Sequence, residues 1–188
     1  MVRWSIGRTL CAVLLACGAS AGAHAAAASA PGAVTGNCSD RQFYWSADDP
    51  RINLRHLFCG EIRRGQPKGF HSVRLVATTR LIRNVGHRTE EGGGIYSAIV
   101  EFANGRSKLS TFFPDHCTLE QIVRSVSHAA ANVSGRHRAW GAIGLSAPPP
   151  AAPRRGDLET FCLDNTGQPF EIRLGVLANG RINTAFPN

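Results

Sequence analysis

Two histidines and one lysine are the residues of this 188-residue chain best suited to acid–base chemistry on a phosphodiester. His56 stands in Leu54-Arg55-His56-Leu57-Phe58-Cys59-Gly60-Glu61-Ile62. His71 lies fifteen residues on, directly after Lys68-Gly69-Phe70. A glycine this close lets a loop present the His71 ring at the mouth of a cleft. Imidazole titrates near neutrality, so one ring can take a proton while a second, charged ring gives one. Such a pair suits RNA cleavage: one ring accepts the ribose 2′-OH proton and the other protonates the departing 5′-oxygen. Charge then builds on the phosphate oxygens and needs a positioned cation. Lysine is scarce, with Lys68 and Lys108 against nineteen arginines. Spacing alone reads Lys108 as a solvated residue flanking the Asn104-Gly105 turn. His87 and His137 read as loop residues, His116 follows a strand end beside Cys117, and His128 sits in a helix. These four read as solvated or core histidines.

The start of the chain reads as an export signal. Arg3 and Arg8 form a positive n-region, Leu10 to Ala16 a short apolar stretch, and Ala23-His24-Ala25 a small-residue cleavage site. Residues 1–25 are therefore expected to leave as a signal peptide, 26–37 to form an Ala/Gly/Pro linker, and 38–188 to fold as one domain. Leu14-Leu15-Ala16-Cys17 supplies an alternative, a lipoprotein box with lipidated Cys17. Export leaves Cys38, Cys59, Cys117 and Cys162, which read as two disulfides in an oxidising compartment, with three pairings open. The rival is zinc, through His56-x-x-Cys59 and His116-Cys117, but no tight C-x-x-C pair is present. Loss of Arg3 and Arg8 lowers the net charge from +8 to +6. That excess favours a polyanionic partner without defining a fold. With 43% apolar and 18% charged residues the chain is neither disordered nor fibrous.

The elements that must carry these residues follow from periodicity and turn chemistry. Asn53 to Ile62 has apolar residues at helical spacing with Asn53 as N-cap. Phe70 to Leu81 is rich in Val, Leu and Thr and reads as strand, and Gly92-Gly93-Gly94 as a loop. Ile95 to Phe102 and Lys108 to Phe113 flank Asn104-Gly105 as a hairpin. Thr118-Leu119-Glu120-Gln121 opens a helix with a capping box, and Leu119, Ile122, Val123, Val126 and Ala130 form its apolar stripe. Gly135 to Gly156 reads as a long loop. Phe170 to Leu177 and Arg181 to Phe186 form a second hairpin around Ala178-Asn179-Gly180. The sum is α+β, with an N-terminal helix, a middle helix and antiparallel hairpins.

Four stretches, in order, resemble the bacterial branch of the EndoU endoribonuclease family. His56-Leu57-Phe58-Cys59-Gly60-Glu61-Ile62 resembles its H-x-x-x-G-[ED]-[IF], and Gly69-Phe70-His71 its G-[GFL]-H. Lys108-Leu109-Ser110-Thr111-Phe112-Phe113-Pro114 resembles K-x-S-T-F-F-P. Gly180-Arg181-Ile182-Asn183-Thr184-Ala185-Phe186-Pro187 resembles a closing segment ending I-x-T-A-Y-P. The resemblance implies two small antiparallel sheets around a cleft, with helices outside. It implies His71 as general base, His56 as general acid and Lys108 as electrostatic stabiliser. Ser110 or Thr111, with Thr184, would bond a uracil, and Phe186 would offer it a stacking face. The product would be a 2′,3′-cyclic phosphate with a 5′-hydroxyl end.

No cofactor or resident metal is implied, although some family members are stimulated by manganese. The partner would be RNA, and a toxin role would add a cognate immunity or inhibitor protein. One departure stands out, because Phe186 occupies the place of the family's Tyr. The alternative reading is a catalytically impaired EndoU-like domain that binds nucleic acid or protein. Cys59 and Cys117 lie in or beside motifs that approach the cleft, so Cys59–Cys117 with Cys38–Cys162 is the preferred pairing.

Overall fold

Alternation along the central strand, interrupted by the buried Ser97, builds the three-stranded sheet. In Ile95–Phe102 the side chains of Tyr96, Ala98, Val100 and Phe102 are buried while Ile99 faces solvent, as a strand covered on one face requires. The computed structural model describes residues 34–149 and 159–188 besides Met1. The expected signal peptide, Cys17 and linker residues 26–33 lie outside the described residues. From the N-terminus, a five-residue π-helical turn, Arg55–Cys59, is followed by a ribbon of β1 (Glu61–Arg63) and β2 (Gln66–Lys68). Next comes an antiparallel three-stranded sheet of β3 (Ile82–Gly92), β4 (Ile95–Phe102) and β5 (Ser107–Phe112). Helix α1 (Leu119–Ala131) leads into a four-stranded antiparallel sheet of β6 (Val133–Arg136), β7 (Ala142–Leu145), β8 (Glu171–Val176) and β9 (Ile182–Pro187), in that spatial order. The architecture is α+β with small antiparallel sheets. No helix among the described residues is long and apolar enough to cross a membrane.

Two cores hold these layers. Under the three-stranded sheet, Phe70, Tyr96, Val100, Phe102 and Phe112 pack together, with Tyr96 stacked on Phe112 at 4.9 Å and Phe70 edge-on to Phe112 at 5.7 Å. In the larger core Ile122, Val123, Val126 and Ala129 of α1 lie with Ile172, Leu174, Ile182 and Ala185. The capping box is formed, since the Gln121 N–H donates to Thr118 Oγ1 and the Thr118 N–H to Gln121 Oε1. Gly144 of β7 has no side chain because a Cβ there would strike the Ala129 backbone of α1. The opposite face of this sheet is free of the helix, and β9 turns Thr184 and Phe186 toward a cleft.

Several expectations are corrected. The N-terminal helix is only the Arg55–Cys59 turn, because Gly60 takes a positive φ of 74° and the chain leaves as strand. Phe70 to Leu81 is not a strand: after Phe70, with φ of 64°, it forms only the 3-10 turn Val76–Thr78. His87 lies in strand β3, not in a loop. The stretch read as a loop from Gly135 contains part of β6 and all of β7.

The disulfides join Cys38 to Cys59 and Cys117 to Cys162, not Cys59 to Cys117 and Cys38 to Cys162. Cys59 ends the π-helical turn, where the N-terminal segment brings Cys38 against it. Cys117 precedes α1, and Ser125 of that helix accepts the Cys162 N–H at 2.8 Å, holding Cys162 beside it. All four sulfurs are in bridges, so none is a zinc thiolate, and such bridges belong to an oxidising compartment. Replacing Cys117 and Cys162 together by Ser should lower unfolding free energy by about 2–4 kcal/mol. A urea midpoint equal to that of the parent would refute this.

Candidate active site

The His56 and His71 segments are tied to each other through the backbone. A longer helix would have used the carbonyls of His56 and Leu57 internally. Here the turn stops, and they accept the N–H groups of Phe70 at 2.8 Å and His71 at 2.7 Å. Gly69, at φ +68°, lies against the His56 carbonyl where a Cβ would collide with it. Asn53 caps the turn from just outside its formal N-cap Leu54, accepting the His56 N–H on Oδ1 at 2.9 Å. The fifteen-residue interval thus closes into one small unit with both rings on it.

Each ring has one nitrogen committed. Nδ1 of His56 is 3.3 Å from Oε2 of Glu61, the first residue of β1. Glu61 is buried, yet the hydrogen bond from His56 keeps its carboxyl below the usual carboxylate range, so it is ionised and accepts. Asn53 Nδ2 reaches both Glu61 Oε1 at 3.4 Å and Asn183 Oδ1 at 3.2 Å, which links β1 to β9. Nδ1 of His71 donates to the carbonyl of Thr111 at 2.9 Å. A carbonyl can only accept, so the neutral His71 ring has its proton on Nδ1 and a lone pair on Nε2. Burial pushes the His71 pKa well below its ordinary value, and the charges of Lys108 and His56 add to the effect. His71 is therefore an unprotonated base at neutral pH. The two ring centroids are 6.2 Å apart, a span that one phosphodiester group can bridge.

Lys108 joins them from β5. Alternation puts Lys108, Ser110 and Phe112 on one face of that edge strand, and Phe112 sinks into the core beneath. The ammonium donates to the Gly69 carbonyl at 3.1 Å and to Ser110 Oγ. Burial first, and the charge of Lys68 second, lower its pKa to about 8. The expectation of a solvated turn lysine is thereby corrected.

His56, His71, Lys108, Thr111, Thr184 and Phe186 all line one cleft of ≈ 790 Å³. Ser110 does not: it is buried behind Lys108, bonded to the lysine and to the Gly69 carbonyl. Of Ser110 and Thr111, the latter is on the cleft wall. One face of Phe186 lies on His71, with centroids 5.0 Å apart and planes at 21°. Trp140 meets Phe186 edge-on at 5.9 Å, and Arg173 lies 3.9 Å over the Trp140 ring. Sequence reasoning passed over Glu61, Asn53, Asn183 and Trp140. Glu61 carries a signal, its place five residues after His56, whereas Trp140 lies in the stretch read as loop. His87, His116, His128 and His137 are absent from the cleft wall. Among the described residues no three His, Cys, Asp or Glu side chains converge.

Residues 50–188 match the sequence model described as Bacterial EndoU nuclease. The chain belongs to the bacterial EndoU nuclease family. No curated protein and no solved structure matches it. The EndoU match begins just before the π-helical turn and runs to the last residue, so it spans every element of the cleft. An EndoU nuclease cuts a phosphodiester inside a chain. The cleft has a neutral base on one side, a carboxylate-oriented imidazole on the other and a half-buried cation beside them.

Proposed function

We propose that this EndoU nuclease is an exported endoribonuclease that cleaves RNA at uridines through the ribose 2′-OH. The observation that carries the reading is the pair of committed Nδ1 atoms, one on Glu61 and one on the Thr111 carbonyl. They leave Nε2 of each histidine for substrate. In this reading His71 Nε2 takes the 2′-OH proton and the 2′-oxygen attacks phosphorus. The bond from phosphorus to the 5′-oxygen breaks, and protonated His56 gives that oxygen its proton. Lys108 stabilises the charge on the non-bridging oxygens. The ends are a 2′,3′-cyclic phosphate and a 5′-hydroxyl. Thr111 and Thr184 supply hydroxyls for the uracil. The disulfides support export, and an activity sent away from the cell's own RNA suits a toxin with a cognate inhibitor.

Purified protein incubated with a uridine-containing RNA in EDTA should yield fragments ending in uridine 2′,3′-cyclic phosphate. Linear 3′-phosphates formed from the outset, or cuts indifferent to uridine, would overturn the mechanism or the base preference respectively. Phe186 in place of Tyr favours the second reading, an EndoU shell that binds RNA without cutting it. Binding without cleavage, restored to cleavage by Phe186→Tyr, would support that second reading.

A further inference from the structure

The β1–β2 ribbon connects the two histidine segments, and its tip carries charge that neither the fold nor the acid–base pair uses. Arg63 pairs with Gln66, so Arg64-Gly65 is a two-residue turn. Both residues have positive φ, 50° and 73°. Such turns favour Asn-Gly, because a larger side chain is strained at the first position. Turn chemistry therefore does not explain an arginine at 64. Arg63, Arg64 and Lys68 are exposed, and all three line the cleft. The ion pairs among the described residues join other groups, His56 with Glu61 and Arg88 with Asp115. Glu61, the one acidic residue of the ribbon, is engaged by His56. Among the described residues no Asp or Glu lines the cleft wall. The Arg63 charge also helps to hold Glu61 ionised, but none of the three cations has an ion-pair contact among the described residues, and together beside the site of phosphodiester chemistry they make an anion subsite.

The geometry points to a second phosphate subsite on the β1–β2 ribbon: Arg63, Arg64 and Lys68 hold the RNA phosphate adjacent to the one being cleaved. This rests on the endoribonuclease reading and extends it. The preferred substrate is an oligonucleotide with at least two consecutive phosphates, not a dinucleoside monophosphate. The opposite wall, with Thr184, Phe186 and Trp140, is apolar or neutral, so the backbone runs along the ribbon and the bases face β9.

The test compares kcat/KM on UpA, on UpA with a 3′-phosphate and on UpA with a 5′-phosphate. In the parent, at least one added phosphate should raise kcat/KM roughly tenfold, as charge-assisted contacts to phosphate do. Arg63→Ala with Arg64→Asn should bring that ratio to within about threefold of unity, since it removes the guanidinium contacts. Asn is the residue this turn prefers, so the hairpin is kept. Arg83→Ala, on β3 and away from the cleft wall, should leave the ratio at the parent's value and excludes a general effect of net charge. A ratio near one in the parent, or one unmoved by the double variant, overturns the subsite.

A second readout separates this proposal from the reading beneath it. Binding of the uncleavable 2′-deoxy analogue, with and without the favoured phosphate, needs no catalysis. Tighter binding of the phosphorylated form by the parent, lost in the double variant, supports the subsite even if no RNA is cut. Equal binding of the two forms overturns it.

Discussion

Replacing His71 by Ala should lower cleavage of a uridine-containing RNA by at least ~10², the usual worth of a positioned proton acceptor. His71 is buried, its Nδ1 proton is held by Thr111, and its ring is packed on Phe186, so no neighbour can swing in to replace it. His56→Ala should cost a similar factor, because the leaving oxygen would depart without a proton donor. His128→Ala is the control and should leave the rate unchanged, as His128 lies on α1 outside the cleft. The acid side of the pH profile gives a second check. Burial lowers the His71 pKa, and the neutral form is the base. Activity should therefore persist as pH falls through the ordinary histidine value of 6.5 and fail only well below it. Wild-type cleavage by a folded His71→Ala protein would end this mechanism for the chain.

Lys108→Ala should reduce kcat/KM by roughly 10²–10³, the loss seen when one donor to transition-state charge is removed. The lysine is held by Gly69 and Ser110 at the point where the two histidine segments meet, so its position is set before substrate arrives. Its pKa is lowered to about 8, and the charged form is the active one. The sign follows: kcat/KM, which reports the free enzyme, should be lost no later than pH about 8 as pH rises. In kcat the same limb should move up, because bound phosphate favours the ammonium. Retention of parental kcat/KM by Lys108→Ala would remove the lysine from the chemistry. Ser110→Ala should give a smaller loss than Lys108→Ala, since Ser110 acts by seating the lysine.

Much of this architecture was legible because its signals are local. A capping box needs only Thr118 and Gln121, three residues apart, and α1 formed as read. Asn104-Gly105 and Asn179-Gly180 turned their hairpins because the turn residues and alternating strands lie within a few positions of each other. Strand β3 was missed for the opposite reason. Most of its residues are exposed on an edge strand, so no alternation marks it, and only its ladder to β4 makes it a strand. Strand β7 was hidden among Gly, Pro and Arg, and it exists because β8 and α1 pack against it.

What the sequence by itself determined is the set of reactive types and their order: His56, His71, Lys108 and Thr184 within four motifs of one nuclease family. Residue identity and short spacing carry that information, and they survive without coordinates. Only the tertiary structure decided how those groups are placed and what surrounds them. It cut the Asn53–Ile62 helix to one turn, because the freed carbonyls of His56 and Leu57 are better satisfied by the backbone of Phe70 and His71. It chose Cys38–Cys59 and Cys117–Cys162 over the expected pairs, since bridge partners are set by which segments pack together. It turned Lys108 inward and lowered its pKa, because burial and the nearby Lys68 charge depend on distances between segments remote in sequence. A charge's environment is a property of the neighbours folding brings to it, and no spacing rule along the chain contains those neighbours.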